Sequence, residues 1–309
     1  MSISPPPANP PNSKPYHFAI LTSVHTRYVA QLMQQRLHFH GSQAQIFTTY
    51  SSAISADIFI VLCAQIFPEL PPADKRIIFQ MEQSTSTRWF TPSYLDDLRD
   101  SKAVLDYSLA NILALTQLGI PERKMHYLPI GANPQLTFMP ASSKSYDFVF
   151  YGDYFSSERR KKILEPLCER YQVLILEDCF ESKLYTAITS AKAVINLHYY
   201  DEPLLETTRI CESLSLGVPV LSEATPDMNA YPEFRRAVTY FEQGSSADLL
   251  KVAAAFLNHL PSNKKVKRAA LKSNRGFNHH FDQIFSELGF ITLRKPRHPL
   301  LRWLQFFQS

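Results

Sequence analysis

Two Rossmann-like, doubly wound α/β domains facing each other across a cleft are the fold class this sequence predicts, on three observations. Short apolar runs alternate with helix-patterned segments along most of the chain. Runs such as FVFY, VLIL and AVINL lack two-residue alternation, as parallel strands covered on both faces do. The alternation breaks once, in a loop-like stretch at 131–144 containing a Gly, an Asn, two Pro and a Ser cluster, and then restarts. A length of 309 residues suits two such domains better than one core.

Residues 1–15 form a polar leader holding six prolines, which cannot pack a core and reads as extended or disordered. The first domain, 16–140, opens with a strand at 17–24 and a helix at 27–37 that carries Val29, Leu32, Met33 and Leu37 on one side. Strands follow at 44–48, 57–62, 76–81, 103–107 and 125–128. Helices lie at 92–100 and 109–117, the second stopped by Gly119 and Pro121. The second domain, 141–288, reads as strands at 146–151, 172–176, 193–199, 219–222 and 237–241. Its helices fall at 157–171, 180–190, 204–216, 246–260 and 264–288. A basic, aromatic tail occupies 289–309.

Composition narrows the class. With 45% hydrophobic and 19% charged residues the chain has the balance of a soluble globular protein. The apolar run 58–67 is far short of the ~20 residues a membrane span needs. The N-terminus lacks the basic and apolar regions of a signal peptide, so a cytoplasmic location is expected. Cys63, Cys168, Cys179 and Cys211 are scattered with no CxxC pair, which reads as free thiols in a reducing compartment. After residue 260 ten Lys or Arg face only Asp282 and Glu287, so this end carries +8 and the remainder −4. Such an end suits an anionic lipid or glycan surface, or is an ordinary solvated helix face. No nucleic-acid partner is expected.

The most informative stretch is NLHYYDEPLLETTRICESLSLGVPVLSE, 196–223. It reads as a strand ending in polar residues, a loop, a helix capped by Asp201 or Glu202 with Pro203 in its first turn, a stop at Gly217 and a further strand. Glu206, Arg209 and Glu212 stand three apart, as i,i+3 ion pairs do. The same row can instead serve a ligand, because a helix that follows a strand's carboxyl end points its N-terminus into the cleft.

ESLSLGVPVLSE resembles the E-A-x-A-x-G-x-P-V signature of GT-B glycosyltransferases, which use nucleotide-sugar donors. The wider stretch, with its Arg-x-x-Glu, is similar to the CgeB-type, spore-maturation glycosyltransferase-like group. The resemblance covers about residues 76–290 and implies that Glu212 binds the donor ribose, while Gly217 ends the helix. The retaining pattern places a second glutamate eight residues earlier. That position is Leu204 here; Glu206 is the nearest acid and the catalytic candidate on the sugar side, with Arg209 and His198.

FVFYGDYFSSERRKKIL, 148–164, supports the same reading with a strand, a turn at Gly152, a capping Ser156 or Ser157 and a helix opening on Arg159 and Arg160. Gly152 permits close backbone approach, and an arginine can neutralise a diphosphate leaving group. SERRKK is equally a pattern of a solvated helix face. Asn196 and His198, at the strand end, aim at the cleft, where His198 either hydrogen-bonds phosphate or sugar or is a satisfied buried histidine. In the first domain Glu82, Asp106 and Asn111 follow strand ends, and Glu82 can orient or deprotonate an acceptor hydroxyl. His25 follows the first strand, where no Gly-rich loop stands, and is the general-base candidate for an inverting reaction.

No Asp-x-Asp motif or credible His/Asp metal spacing is present, so no obligatory metal or cofactor is expected. The function implied is transfer of a sugar from a nucleotide-diphosphate-sugar donor to a saccharide or lipid-linked glycan acceptor. A non-catalytic binding or assembly protein on a degenerate scaffold, or a nucleotide-sugar epimerase, are the alternatives. The tail, with Trp303 and its neighbouring Leu and Phe residues, either meets an anionic membrane surface peripherally, at its inner face, or packs across the two domains.

Overall fold

The computed structural model describes residues 15–85 and 88–293. The proline-rich leader before Pro15 and the tail beyond Leu293, with the membrane contact expected of it, lie outside them. Eleven strands in the described residues form two sheets, every pairing parallel.

The first sheet holds β1 (His17–Leu21), β2 (Gln43–Phe47), β3 (Ile58–Leu62), β4 (Arg76–Gln80), β5 (Ala103–Asp106) and β6 (Met125–Tyr127), in the order β2-β1-β3-β4-β5-β6. The second holds β7 (Tyr146–Tyr151), β8 (Val173–Leu176), β9 (Ala191–Asn196), β10 (Val220–Glu223) and β11 (Val238–Phe241), in the order β11-β10-β9-β7-β8. Both orders share one logic: the second strand lies outside the first, and the third returns to the first strand's other side. That reversal leaves a crevice beyond the carboxyl ends of β1 and β3, and another beyond β7 and β9.

Around the first sheet lie α1 (Arg27–Phe39), α2 (Pro92–Asp100) and α3 (Leu109–Gln117). The second carries α4 (Glu158–Cys168), α5 (Glu181–Thr189), α6 (Thr207–Ser215), α7 (Ser246–Asn258) and α8 (Asn263–Glu287). Strand β3 is buried at every position, which is why it reads as an unbroken apolar run, and β4 is buried throughout although Arg76 and Gln80 stand at its ends. One apolar core runs through both domains, from Phe18 and Tyr28 to Leu214 and Phe285.

Helix α8 joins the two halves. Ser273 Oγ accepts the Ala132 N–H at 3.1 Å, and Asn274 donates to the Ala132 carbonyl at 2.8 Å. Farther along, Phe285 packs against Phe18 of β1, and Asp282 accepts from both Arg36 and His40 of α1. Tyr28 of α1 donates to the Gly131 carbonyl at 2.8 Å and lies 2.9 Å from Ser215 Oγ of α6.

Two sequence expectations are corrected. The strand expected to reach residue 199 ends at Asn196, and the helix expected from 204 begins at Thr207, with Glu206 in its capping position. Asp201, Glu202 and Pro203 therefore do not start it. Tertiary hydrogen bonds hold the intervening segment out of the helix: Leu204 N–H donates to Gln83 Oε1 at 2.8 Å, and Leu205 N–H to Asp227 Oδ1 at 3.0 Å. For α4, Ser157 rather than Ser156 is the cap, accepting the Arg160 N–H.

Candidate active site between the two sheets

A cleft of about 1110 Å³ separates the carboxyl edges of the two sheets. The loops at the two crevices line it: 23–28 after β1, 63–66 after β3, 151–156 after β7 and 199–212 after β9. The sheet topology thus brings segments more than a hundred residues apart into one site.

On the second domain's wall, Arg209 and Glu212 rise from α6 against Tyr151 and Gly152 at the end of β7. The Tyr151 hydroxyl donates to Glu212 Oε2 at 2.8 Å. Burial pushes the Glu212 carboxyl up to about 7, opposed by the Tyr151 hydrogen bond and the Arg209 charge. Arg209 Nη1 donates to Asn196 Oδ1 at 2.6 Å and to Glu206 Oε2 at 2.5 Å, and Nη2 faces Gly152. Gly152 has φ +130, and a Cβ there would stand 3.2 Å from Nη2, so only glycine fits without strain. Arg209 Nε and Thr207 Oγ1, the latter in the first turn of α6, are buried without a hydrogen-bond partner among the described residues. This wall therefore offers an anion two unsatisfied donors beside a helix N-terminus.

Burial alone would raise the Glu206 carboxyl. The Arg209 charge, the adjacent His198 ring and Arg160 overcome it and hold the group well below the usual carboxylate range. His198 is fully buried: its Nε2–H donates to the Glu223 carbonyl at 3.2 Å, and its Nδ1 faces Glu206 Oε1 at 3.6 Å. Asn196 is also fully buried and donates to Ser222 Oγ at 3.0 Å. His198 and Asn196 thus act on the cleft only through Glu206 and Arg209.

The two arginines of α4 part company. Arg160 lines the cleft, but its guanidinium donates to the carbonyls of Asp153 and Leu197 at 2.8 and 2.9 Å, and burial lowers it to about 10. It braces the Gly152 turn and the end of β9. Arg159, expected in the donor site, is placed elsewhere. It grips the fully buried Glu223 at 2.5 Å and Asp201 at 2.9 Å, beside a separate shallow pocket with Gln243 and Gly244. One helical step of 100° separates the neighbours' directions, and the acid at the end of β10 captures the first.

Across the cleft, Glu82 accepts from Gln65 Nε2 at 3.0 Å, and burial raises its carboxyl. His25 is exposed on the 3-10 turn Val24–Thr26, its ring 4.9 Å from Phe180 of the other domain. Asp106 is fully buried beneath Glu82, accepting from Gln80, Ser108 and Asn111, and burial pushes it up to about 8. It ties the β4 and β5 ends together and does not line the cleft. Sequence reasoning missed Tyr151, Gln83 and Thr207. The only available signal was their place at element ends, beside Gly152, Glu82 and Glu206. Among the described residues no group of three or more His, Cys, Asp or Glu is arranged to hold a metal ion.

Residues 135–288, which carry the whole second sheet and α6, match the protein family described as Glycosyl transferase-like. No curated protein matches the chain. Among solved structures, Alr3699/HepE of Anabaena in complex with UDP and glucose aligns with a TM-score of 0.59 at 11% identity, over 89% of this chain and 99% of that one. AviGT4, a glycosyltransferase involved in avilamycin A biosynthesis, aligns at 0.57 and 12%, over 88% and 99%. WaaG, a glycosyltransferase involved in lipopolysaccharide biosynthesis, aligns at 0.55 and 10%, over 87% and 98%. At such identities the likeness is one of fold. The chain accordingly has the two-domain GT-B fold of these glycosyltransferases, and its residues 135–288 form a glycosyl transferase-like domain.

Proposed function

We propose that this protein transfers a sugar from a nucleotide-diphosphate-sugar donor to a saccharide or lipid-linked glycan acceptor, and that it belongs with the CgeB-type group. One observation carries the proposal. The Glu212 carboxylate and the Arg209 guanidinium stand side by side on α6, facing the cleft, with Arg209 packed against the Gly152 turn. A carboxylate suits the two hydroxyls of a ribose, and a guanidinium beside a helix N-terminus suits the diphosphate attached to it. The complexes of Anabaena HepE with UDP and with UDP-glucose support a donor of this class on this fold.

In this reading Glu212 accepts from the ribose, while Arg209, Thr207 and the first turn of α6 neutralise the diphosphate as the sugar departs. Glu206, Asn196, His198 and Arg160 hold Arg209 and the Gly152 turn in place, and Arg159 stays outside the site. Glu82, raised by burial, takes the acceptor proton, and His25 contacts the acceptor at the cleft mouth. The leaving charge is met by arginine and helix dipole, with no metal required. All four cysteines are free, which supports a reducing, cytoplasmic setting.

Thermal stabilisation across a panel of nucleoside diphosphates and nucleotide sugars tests the proposal, followed by turnover with a glycan acceptor. Stabilisation by one base class, abolished in Glu212→Ala, is the expected outcome. A panel without any stabilising nucleotide overturns it, as does conversion of the donor to an isomer without acceptor.

A further inference from the structure

Helix α8 presents a continuous cationic face that the site described above does not use. Residues 263–281 contain no Asp or Glu, and Lys264, Lys265, Lys267, Arg268, Lys272 and Arg275 are all exposed. None of the six makes an ion pair or side-chain hydrogen bond among the described residues. The carboxyl of Glu233, raised by burial, is drawn down again by Lys272 of this row. Lys264, Arg268, Lys272 and Arg275 recur every three or four residues, so they align in one stripe about 17 Å long.

The stripe is rigidly held. On the opposite side of the same helix Val266, Ala269, Ala270 and Phe277 are buried, and Ser273 and Asn274 are hydrogen-bonded to Ala132. Leu271, 39% exposed, stands within the stripe between Arg268 and Lys272. Neither the cleft nor the shallow pocket at Arg159 is lined by any of these residues.

We propose that this face of α8 docks the protein on an anionic lipid bilayer. Charge complementarity points to an anionic partner, and three features select a membrane among such partners. The surface is a convex helix face rather than a groove, so it cannot enclose a glycan chain. It has no aromatic side chain on which bases could stack. It also offers an exposed leucine amid the cations, the arrangement of a surface that rests in the headgroup region. The proposal stands independently of sugar transfer and adds a second contact to the one expected of the C-terminal tail.

The test is cosedimentation of the full chain with vesicles of phosphatidylcholine alone, and of phosphatidylcholine with about a third phosphatidylglycerol, at low and high salt. Binding to the anionic vesicles only, weakened by salt, is expected. The fourfold variant Lys264→Gln, Arg268→Gln, Lys272→Gln, Arg275→Gln should bind about 600-fold more weakly, from about fivefold per cation near such a surface. Its thermal unfolding should match the parent, because all four side chains are exposed and none makes an ion pair among the described residues. A second variant, neutralised at Arg294, Lys295, Arg297 and Arg302, separates the tail's share, and it should keep the part of the binding that α8 carries. Absence of binding to anionic vesicles, or binding that the α8 changes leave intact, overturns the proposal. So does displacement of vesicle-bound protein by an equal charge concentration of single-stranded RNA or a sulfated oligosaccharide. Nucleotide stabilisation measured on the same variants keeps this result apart from the donor-site reading.

Discussion

If Glu212 receives the ribose hydroxyls as a carboxylate, nucleotide-sugar affinity must rise with pH across neutrality, because burial pushes this group up to about 7. At pH 6 about a tenth of the groups are ionised and at pH 8 about nine tenths. Kd is then expected to fall about tenfold between them, or about 1.4 kcal/mol. A nucleotide sugar is the right probe: its diphosphate is esterified at both ends, whereas a free terminal phosphate itself titrates near pH 6. Calorimetric titration at pH 6, 7 and 8 reads the effect directly. In Glu212→Gln the slope should vanish, with affinity at pH 8 about tenfold to a hundredfold weaker, the range for a hydrogen bond to a charged acceptor. Tyr151→Phe removes a donor that favours the ionised form, so it should move the midpoint upward. Stability of the free protein runs the other way. The folded value lies above the ordinary 4.5, so the contribution of Glu212 is complete below that pH and is lost as pH rises through about 7. That loss is at most about 3 kcal/mol, and Glu212→Gln should flatten it. A wild-type Kd that does not change from pH 6 to 8, or an unchanged slope in Glu212→Gln, refutes the ribose assignment.

Three further outcomes follow from the packing. Arg159→Ala strands Glu223, which is 0% exposed, and should lower the unfolding free energy by about 3–5 kcal/mol in denaturant titrations while sparing nucleotide affinity. Weakened nucleotide binding in the folded variant would return Arg159 to the donor site. In Gly131→Ala the new Cβ would stand 2.5 Å from Phe277 Cβ, so α8 must shift, at a cost of about 1–3 kcal/mol. An unchanged denaturation midpoint would show that the linker yields instead. Arg209→Lys keeps the charge but cannot bond Asn196 and Glu206 while facing Gly152, so nucleotide affinity should fall about tenfold or more. Retention of full affinity would mean that Arg209 acts only as a point charge.

Each strand and α-helix of the two domains was legible in the sequence to within a few residues, because apolar runs and helical periodicity report local burial. Boundaries failed where a distant partner decided them. Nothing near residue 204 announces that Gln83, in the other domain, takes the Leu204 N–H and delays α6 by three residues. The candidate site was legible in residue type and less so in role. Glu212, Arg209 and Gly152 stand together in the cleft. Asn196 and His198 lie beneath it, and the paired arginines of α4 face different cavities.

By itself, then, the sequence of 196–223 determined a strand–helix–strand unit with acids and an arginine at helical spacing, since spacing follows from the geometry of one helix. Only the tertiary structure decided which partner each charge meets. Arg159 is captured by Glu223, Glu206 is bound to Arg209, and Glu212 is left with Tyr151 and a raised affinity for its proton. Burial and opposite charge act through space, so a carboxylate's character is set by neighbours that the chain brings together only when both sheets and α8 have packed.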